Sequence, residues 1–474
     1  MKKLCAILLV LCLLVSLAAC GSEGHFQQPD SNSNHNNNQT EAMTQPTQQE
    51  ETPDIISVVH PNFQLHDGFI EPVNRIAVVP DGYIGISNAS DFAKIGLNPD
   101  ANYILMADID MTGTEFDPIS GFSGILEGNS YTVSNCEATI FSTVDGGTVR
   151  NMGVYADWNL EGTDDILENL HHQAGIARAV KNGAELYNCW FDGSIRAQFG
   201  QAGGIAYSVG WNSTIRSCYN SADINLNTGD VAFETVLGGI CVEMDENSSL
   251  INCFNEGSLR VESETDMEQH VGGIVGQVDI NVSESGSVVR VYNCRNSGDI
   301  WCQGLAAGII GWAGVTEPYV TLTVEKCVNG THEIGGSEHM RTAGIIHVME
   351  IEEGAIIITN CCNQNGKWHD AGLVGGDAKQ TRWDRISDDL MNVVIEYSYS
   401  YSNGDYGITE VCKNLNYCYY RDVCDSATAD GALFANVSAL SQDAMKLESS
   451  YPGFDFETVW QMGERFPVFR QTDY

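Results

Sequence analysis

The sequence predicts an all-β fold: a right-handed, three-sided parallel β-helix with short capping helices at both ends. Three observations carry that reading. A small-residue pair followed by an aliphatic recurs as Ala174-Gly175-Ile176, Gly203-Gly204-Ile205, Gly238-Gly239-Ile240, Gly272-Gly273-Ile274, Ala307-Gly308-Ile309, Ala343-Gly344-Ile345 and Ala371-Gly372-Leu373. A cysteine signature alternates with it: Asn188-Cys189, Ser217-Cys218, Asn252-Cys253, Asn293-Cys294, Lys326-Cys327 and Asn360-Cys361. Both return after roughly thirty residues, the period of a stacked array in which each unit buries its apolar side against its neighbours. Third, the region 100–380 shows short β runs broken by Gly and Asn and no long amphipathic helix. Strands without intervening helices point to a β-solenoid rather than an alternating β/α fold. The handedness follows from the strong bias of parallel crossovers.

Each unit has an internal logic. Three residues before each cysteine stands an aliphatic: Leu186, Ile215, Leu250, Val291, Val324 and Ile358. An odd offset cannot keep two side chains on one face of a regular strand, so a bend must lie between them if both point inward. Two residues after the cysteine stands Asn220, Asn255, Asn296, Asn329 or Asn363. Asparagine tolerates the left-handed backbone of a tight corner, and stacked amides hydrogen-bond along an array. These residues are therefore expected at a corner. A Gly and an aliphatic then resume the strand, as in Gly257-Ser258-Leu259. Three strand segments per unit make one coil, and nine or ten coils give a rod about 45 Å long at ~4.8 Å per rung.

Taken in order, residues 1–19 are an address. Lys2 and Lys3 precede an apolar run from Leu4 to Leu17 that is too short to span a bilayer and reads as a signal peptide. Residues 20–54 are Gln, Asn, Ser, Thr, Pro and acids, a composition that buries nothing and is expected to act as a disordered tether. Residues 55–100 hold loose strands at Ile55–Val59 and Arg75–Val79. A short helix follows with Asn88 as N-cap, Asp91 three residues on, and Phe92 and Ile95 on its apolar side. It is a lid for the raw end of a parallel stack. Residues 101–436 form the β-helix, with Tyr103–Met111 as first strand. Residues 437–474 are the C-terminal cap, with Ser441 capping a helical turn and Trp460 with Phe466–Phe469 sealing the end.

The chain carries 63 acids against 23 bases, a formal charge of −40. Such a surface repels nucleic acid and anionic lipid and tolerates cations, basic proteins and neutral sugars. Of 16 cysteines, 13 lie beyond the address and Cys20. An odd number, mostly one per coil, argues for small buried side chains in a ladder rather than a disulfide framework. Cys412, Cys418 and Cys424 are the best candidates for a bridge or a metal site.

Leu17-Ala18-Ala19-Cys20 resembles the lipobox of bacterial lipoproteins. That resemblance implies cleavage before Cys20, a lipid on its sulfur, and a bacterial cell-surface location with the lipid as membrane anchor. Gly272-Gly273-Ile274-Val275-Gly276 with Val291-Tyr292-Asn293-Cys294 resembles the GLUG-motif repeats of bacterial surface proteins. Ala107–Met111 and Phe454–Trp460 are similar to that family's entry and exit segments. The resemblance implies a right-handed β-helix on the cell surface and no single activity. Some members are immunoglobulin-A-cleaving metallopeptidases with a separate zinc domain. That chemistry needs His-Glu-x-x-His, and His332-Glu333-Ile334-Gly335-Gly336 lacks the second histidine.

Function is expected where coils swell. Inserts between the small-residue pair and the cysteine carry Asp279, Glu284, Glu317, Glu350, Glu352 and Glu353, a set able to hold calcium or a basic partner on one corner. No other cofactor is implied. A second corner gathers Asp230, Glu234, Glu262, Glu264, Asp266 and Glu268. Trp368, Trp383 and the tyrosines from Tyr397 to Tyr420 offer either a structural aromatic ladder or a platform for sugar rings. His171-His172 and His369-Asp370 read as surface residues. The sequence has no P-loop, nucleophile elbow or zincin helix. The expectation is a noncatalytic surface protein that binds a glycan or protein ligand through lateral loops. The alternative, a polysaccharide lyase or glycoside hydrolase, needs convergent carboxylates in a lateral groove.

Overall fold

The aliphatic three residues before each cysteine sets the register of the whole rod. Leu186, Ile215, Leu250, Val291, Val324, Ile358, Ile395 and Leu415 stand opposite one another in successive parallel strands. In this computed structural model the described residues are 56–58, 71–160, 172–198, 200–229, 234–263, 269–280, 286–336, 340–351, 353–366, 368–376, 392–409, 412, 414–428, 434 and 436–470. They form a right-handed parallel β-helix with one-turn helical caps.

One coil shows the plan. Its strands are Ser249–Ile251, Phe254–Asn255, Leu259–Ser263, Gln269–Gly272 and Val275–Ile280. The first three ladders belong to one continuous hydrogen-bonded wrap, and the fourth and fifth form a second sheet. The interior is a column of aliphatics, cysteines and alanines, nearly all inaccessible to solvent.

The bend demanded by the odd offset is present, one residue before each cysteine. Asn188, Ser217, Asn252, Asn293, Lys326 and Asn360 all have φ between 51° and 56°. Asn151, Tyr397 and Tyr417 occupy the same corner in other coils. This corrects the expected place of the corner. The asparagines two residues after the cysteine are not left-handed. They are buried strand residues whose amides form the predicted ladder. Asn220 Nδ2 donates to Asn255 Oδ1 at 2.7 Å, Asn255 to Asn296 at 2.8 Å and Asn329 to Asn363 at 3.0 Å.

The bend also explains the cysteines. Turning the chain brings the thiol within reach of two backbone carbonyls, one of which also accepts a backbone N–H from the neighbouring coil. Cys253 Sγ donates towards Ile215 O of the preceding coil and Ile251 O of its own, both at 3.5 Å. Cys218, Cys327 and Cys361 repeat the pattern. Ser398 takes this place in one coil, donating to Glu396 O at 2.8 Å. All thirteen described cysteines are buried and unbridged, including Cys412, Cys418 and Cys424, the three singled out for a bridge or a metal. Burial pushes the Cys412 and Cys418 thiols up to about 12, so they stay protonated.

The spiral starts earlier than the sequence suggests. Tyr83–Ile86 already pairs in parallel with Asn102–Leu105. Eleven parallel pairings then link the first-strand ladder from Tyr83–Ile86 to Asn414–Asn416. At ~4.8 Å per rung that is about 53 Å, longer than expected. The helical lid is one α turn, Ala89–Phe92, and a 3-10 turn, Ile95–Leu97. Asn88 accepts from Asp91 N as the cap, and Phe92 and Ile95 are fully buried.

Ahead of the lid, Val73–Arg75 pairs antiparallel with Ile56–Val58 and straps the corner. Ile76 N donates to Asn129 Oδ1 and its carbonyl accepts from Nδ2, while Glu71 makes the same reciprocal pair with Asn188. At the other end, Val437–Leu440 is the last rung. The segment beyond it packs sideways on the outward-facing Tyr399 and Tyr419. Tyr399 donates to Pro467 O at 2.6 Å, and Trp460 is fully buried in this aromatic cluster. The segment expected to seal the end therefore clamps the flank of the final coils. Ser441 Oγ accepts from Ala444 N at the start of a 3-10 turn.

Candidate functional site

The fourth and fifth strands of each coil are joined across the small-residue pair, and their outward faces fold towards each other. A Cβ on Gly276 of the fifth strand would come under 3.0 Å from Val236 and Leu237 O of the fourth strand in the preceding coil. The result is a concave seam along the rod, and Gly276 lets the strands close on it there. Fourth-strand residues Thr235, Val236, Leu237 and Gly238 are all buried, as are Gln269, His270, Val271 and Gly272.

Polar and aromatic side chains fill this seam. Glu243, Gln277 and Trp312 stand in register on successive fifth strands, four residues after the second glycine of their coils. Gln277 Nε2 donates to Glu243 Oε1 at 2.7 Å. The Tyr207 hydroxyl donates to Gln201 Oε1 at 2.8 Å and lies within hydrogen-bond reach of Glu243. Across the seam, His172 packs on Tyr207 with ring centroids 4.2 Å apart, and His270 stacks on Trp312 at 5.9 Å and 18°. Glu243, Gln277 and Trp312 are half-buried, as is Tyr207, one residue before Ser208, the residue that faces Glu243 in register.

The electrostatics are those of a partly dry acidic groove. Burial raises the Glu243 carboxyl, opposed by its bonds from Gln277 and Tyr207. Asp245 is pushed up to about 6 by burial and then by Glu243, Glu246 and Asp279. Burial pulls His270 down to about 4, so the imidazole is neutral at pH 7 although Glu234 lies 3.9 Å from its Nδ1. His347, further along, is likewise held near about 4 by burial.

Asp245 gives a signed prediction. Its folded-state value lies above its ordinary 3.8. The protonated form is therefore favoured by folding, and that stability is present below pH ~4 and lost as pH rises through about 6. Asp245→Asn should unfold later than the wild type at pH 7.5, by about 1 kcal/mol after discounting for partial exposure. The gap should close at pH 4, as read by urea midpoints at the two pH values.

The acidic residues picked from the sequence divide. Asp279 and Glu350 fall on one edge of the rod, each opposite Gly314 on the strand between them. Asp279 and Glu353 are exposed and Glu317 is half-buried. On the second corner Glu234 is solvent-exposed and Glu262 half-buried. Trp368 lies in the fourth-strand ladder opposite Asn403. Cys20, Asp230, Glu264, Asp266, Glu268, Glu284, Glu352 and Trp383 lie outside the described residues, as do the signal peptide and tether. Among the described residues, no three His, Cys, Asp or Glu side chains are placed to hold a metal ion.

The aromatic alternatives also divide. Trp190, Tyr219, Phe254, Tyr399 and Tyr419 are buried, which is the structural ladder. Tyr397 and Tyr417 stack on each other at 5.3 Å and 9°. The seam row was not singled out in the sequence, because Ser208, Glu243, Gln277 and Trp312 share a position and no chemistry. Counting four residues on from the second glycine of each pair would have found it.

No protein-family model matches this chain. The immunoglobulin A1 protease of Streptococcus sanguinis is 22% identical over 244 residues, 48% of this chain and 12% of that protein. Two solved structures also show likeness. An IgA1 protease aligns with a TM-score of 0.42 and 18% identity over 56% of this chain and 21% of the other. A putative immunoglobulin A1 protease from Bacteroides ovatus gives 0.23 and 13% over 86% and 96%. This chain thus spans about an eighth of the length of the curated relative it matches.

Proposed function

We propose that this chain is a lipid-anchored surface rod of the GLUG-repeat type, which captures a glycan or protein ligand on its side without transforming it. The observation that supports this most is the continuous row of half-buried polar and aromatic side chains in the concave seam, with Trp312, Gln277 and Glu243 in register. Held at rung spacing on a rigid scaffold, such a row binds at low ordering cost. The Streptococcus relative is named for a protease, and this chain covers only 12% of it. Our reading carries over the rod, not the cleavage. The anchor rests on Leu17-Ala18-Ala19-Cys20. Cys20→Ser should release the protein from the membrane fraction of its native cell. Retention of that variant would count against the anchor. Capture of ligands from a glycan array and a panel of surface proteins, lost in Trp312→Ala, tests the binding.

A second reading, glycoside hydrolysis, has one observation in its favour. Asp245, held near about 6, sits on the rung next to exposed Asp279, a pairing suited to a general acid beside a base. Release of reducing ends, abolished in Asp245→Asn, would establish it.

A further inference from the structure

The seam row has a pitch, a polarity and a charge, and together these narrow what it takes. Resting on the reading that the seam is the binding site, we propose that the row Glu243–Gln277–Trp312, with Tyr207 reaching Glu243 from the preceding coil, binds an extended, uncharged oligosaccharide lying parallel to the rod axis, one sugar ring per rung.

The pitch comes from the fold. Glu243, Gln277 and Trp312 stand in register on adjacent parallel strands; in the preceding coil Ser208 holds that register position and Tyr207 stands one residue before it. The three in-register side chains therefore advance about 4.8 Å per step and cover about 10 Å, with Tyr207 one coil further back. That is close to the advance per ring of an extended pyranose chain. Flat chains with hydroxyls on their edges match this array better than a peptide, whose backbone would seek ladder hydrogen bonds that the fifth strand already spends on its neighbours.

The chemistry alternates suitably. Trp312 presents an indole braced on one side by His270, and Tyr207 presents a phenol ring braced by His172. Aromatic faces pack on the C–H faces of sugars. Between them, Glu243 and Gln277 supply a carboxylate and an amide side by side, joined at 2.7 Å. Such a pair accepts from and donates to vicinal hydroxyls. Gly314, next but one to Trp312, leaves room for the indole to lie along the strand; a Cβ there would come under 3.0 Å from its ring.

The charge removes the acidic sugars. Asp245, Asp279 and Glu234 flank the row, and the chain as a whole carries −40. A uronate or sulfated chain laid on it would be repelled at every rung.

The test is titration calorimetry of the full chain against linear neutral oligosaccharides of two to six residues, covering gluco-, manno- and N-acetylglucosamine series, with oligogalacturonates for comparison. The expected result is affinity in a neutral series that climbs with each ring up to four and then levels, with no binding of galacturonates. Trp312→Ala should weaken the four-ring ligand roughly ten-fold, and Trp312→Phe far less. Circular dichroism and an unchanged unfolding midpoint establish that the variants fold. Equal binding of galacturonates, a plateau at one or two rings, or no saccharide binding overturns the proposal. If no saccharide binds but a protein ligand is captured and lost in Trp312→Ala, the ligand class fails and the seam remains the site. If a bound ligand ignores Trp312→Ala and Gln277→Ala alike, the seam itself is refuted.

Discussion

Gly273→Ala is expected to destabilise the rod by about 3 kcal/mol or more, among the largest losses a single methyl group can cause here. The second residue of the small pair is glycine in all seven coils, from Gly175 to Gly372, whereas the first alternates between Gly and Ala. Space, not backbone freedom, is the reason, since Gly273 does not have a left-handed φ. A Cβ on Gly273 would come under 3.0 Å from Gly308 O in the next coil and from the side chain of Asn296. Gly204, Gly239, Gly308 and Gly344 meet the next carbonyl and an asparagine in the same way. Two ladders therefore interlock: the glycines vacate the volume that the amides fill. Neither obstacle can retreat, because one is ladder backbone and the other is fixed on both sides by hydrogen bonds. Gly96→Ala is the control. Its nearest neighbour would be Ile119 at 3.9 Å, an ordinary contact, and the change should be neutral or slightly stabilising. Denaturant midpoints of the two variants decide the matter; equal midpoints would refute the interlock. Coils in such arrays unfold semi-independently, so hydrogen exchange around residues 273–309 should report the loss most sharply.

How much of this was legible in the sequence follows from the same ladders. The pair, the cysteine and the aliphatic at offset three were enough to place the interior, because each is constrained by packing and each repeats in type. The bend between aliphatic and cysteine was deduced from parity alone and lies where parity requires. The corner was still assigned to the wrong asparagine. Both rows are rich in Asn, for different reasons: one needs φ near 53°, the other needs an amide with two donors and an acceptor. Composition cannot separate them; burial can, and burial is a property of the fold. The seam was not legible for a related cause. His270 and Trp312 are distant in sequence and belong to different coils, and they meet only because two strands fold together across a glycine pair. Residue types along that row vary, so no periodic signal marks it. The acidic inserts, by contrast, were visible as swellings, and the structure aligns Asp279 with Glu350 on one edge of the rod.

Asn255→Leu is the second large effect, expected to cost about 3 kcal/mol although it conserves volume. Asn255 is fully buried. It accepts from Asn220 at 2.7 Å and donates to Asn296 at 2.8 Å and to Gly257 O at 3.0 Å. An isosteric leucine fills the space but leaves a donor on Asn220 and acceptors on Asn296 and Gly257 short of a partner in a dry interior. Each such group carries a desolvation penalty of about 1–3 kcal/mol. The partial alternatives nearby, Asn220 to Ala222 O at 3.3 Å and Gly298 N to Asn296 at 3.2 Å, recover part of it. The chain shows how the ladder is ended without this loss. Phe191 stands in the asparagine position one coil before Asn220 and packs against Gly175, so no half-used amide faces it from that side. Ser400 stands one coil after Asn363, where its hydroxyl turns to Ser402 at 2.7 Å. Interruption in the middle has no such provision. Cys253→Ser, two residues away, makes the comparison clean, because Ser398 already serves in that row and the thiol bonds are weak. It should shift the midpoint by less than half as much as Asn255→Leu. If the two variants unfold together, the amide ladder is ornament rather than the spine that holds successive coils in register.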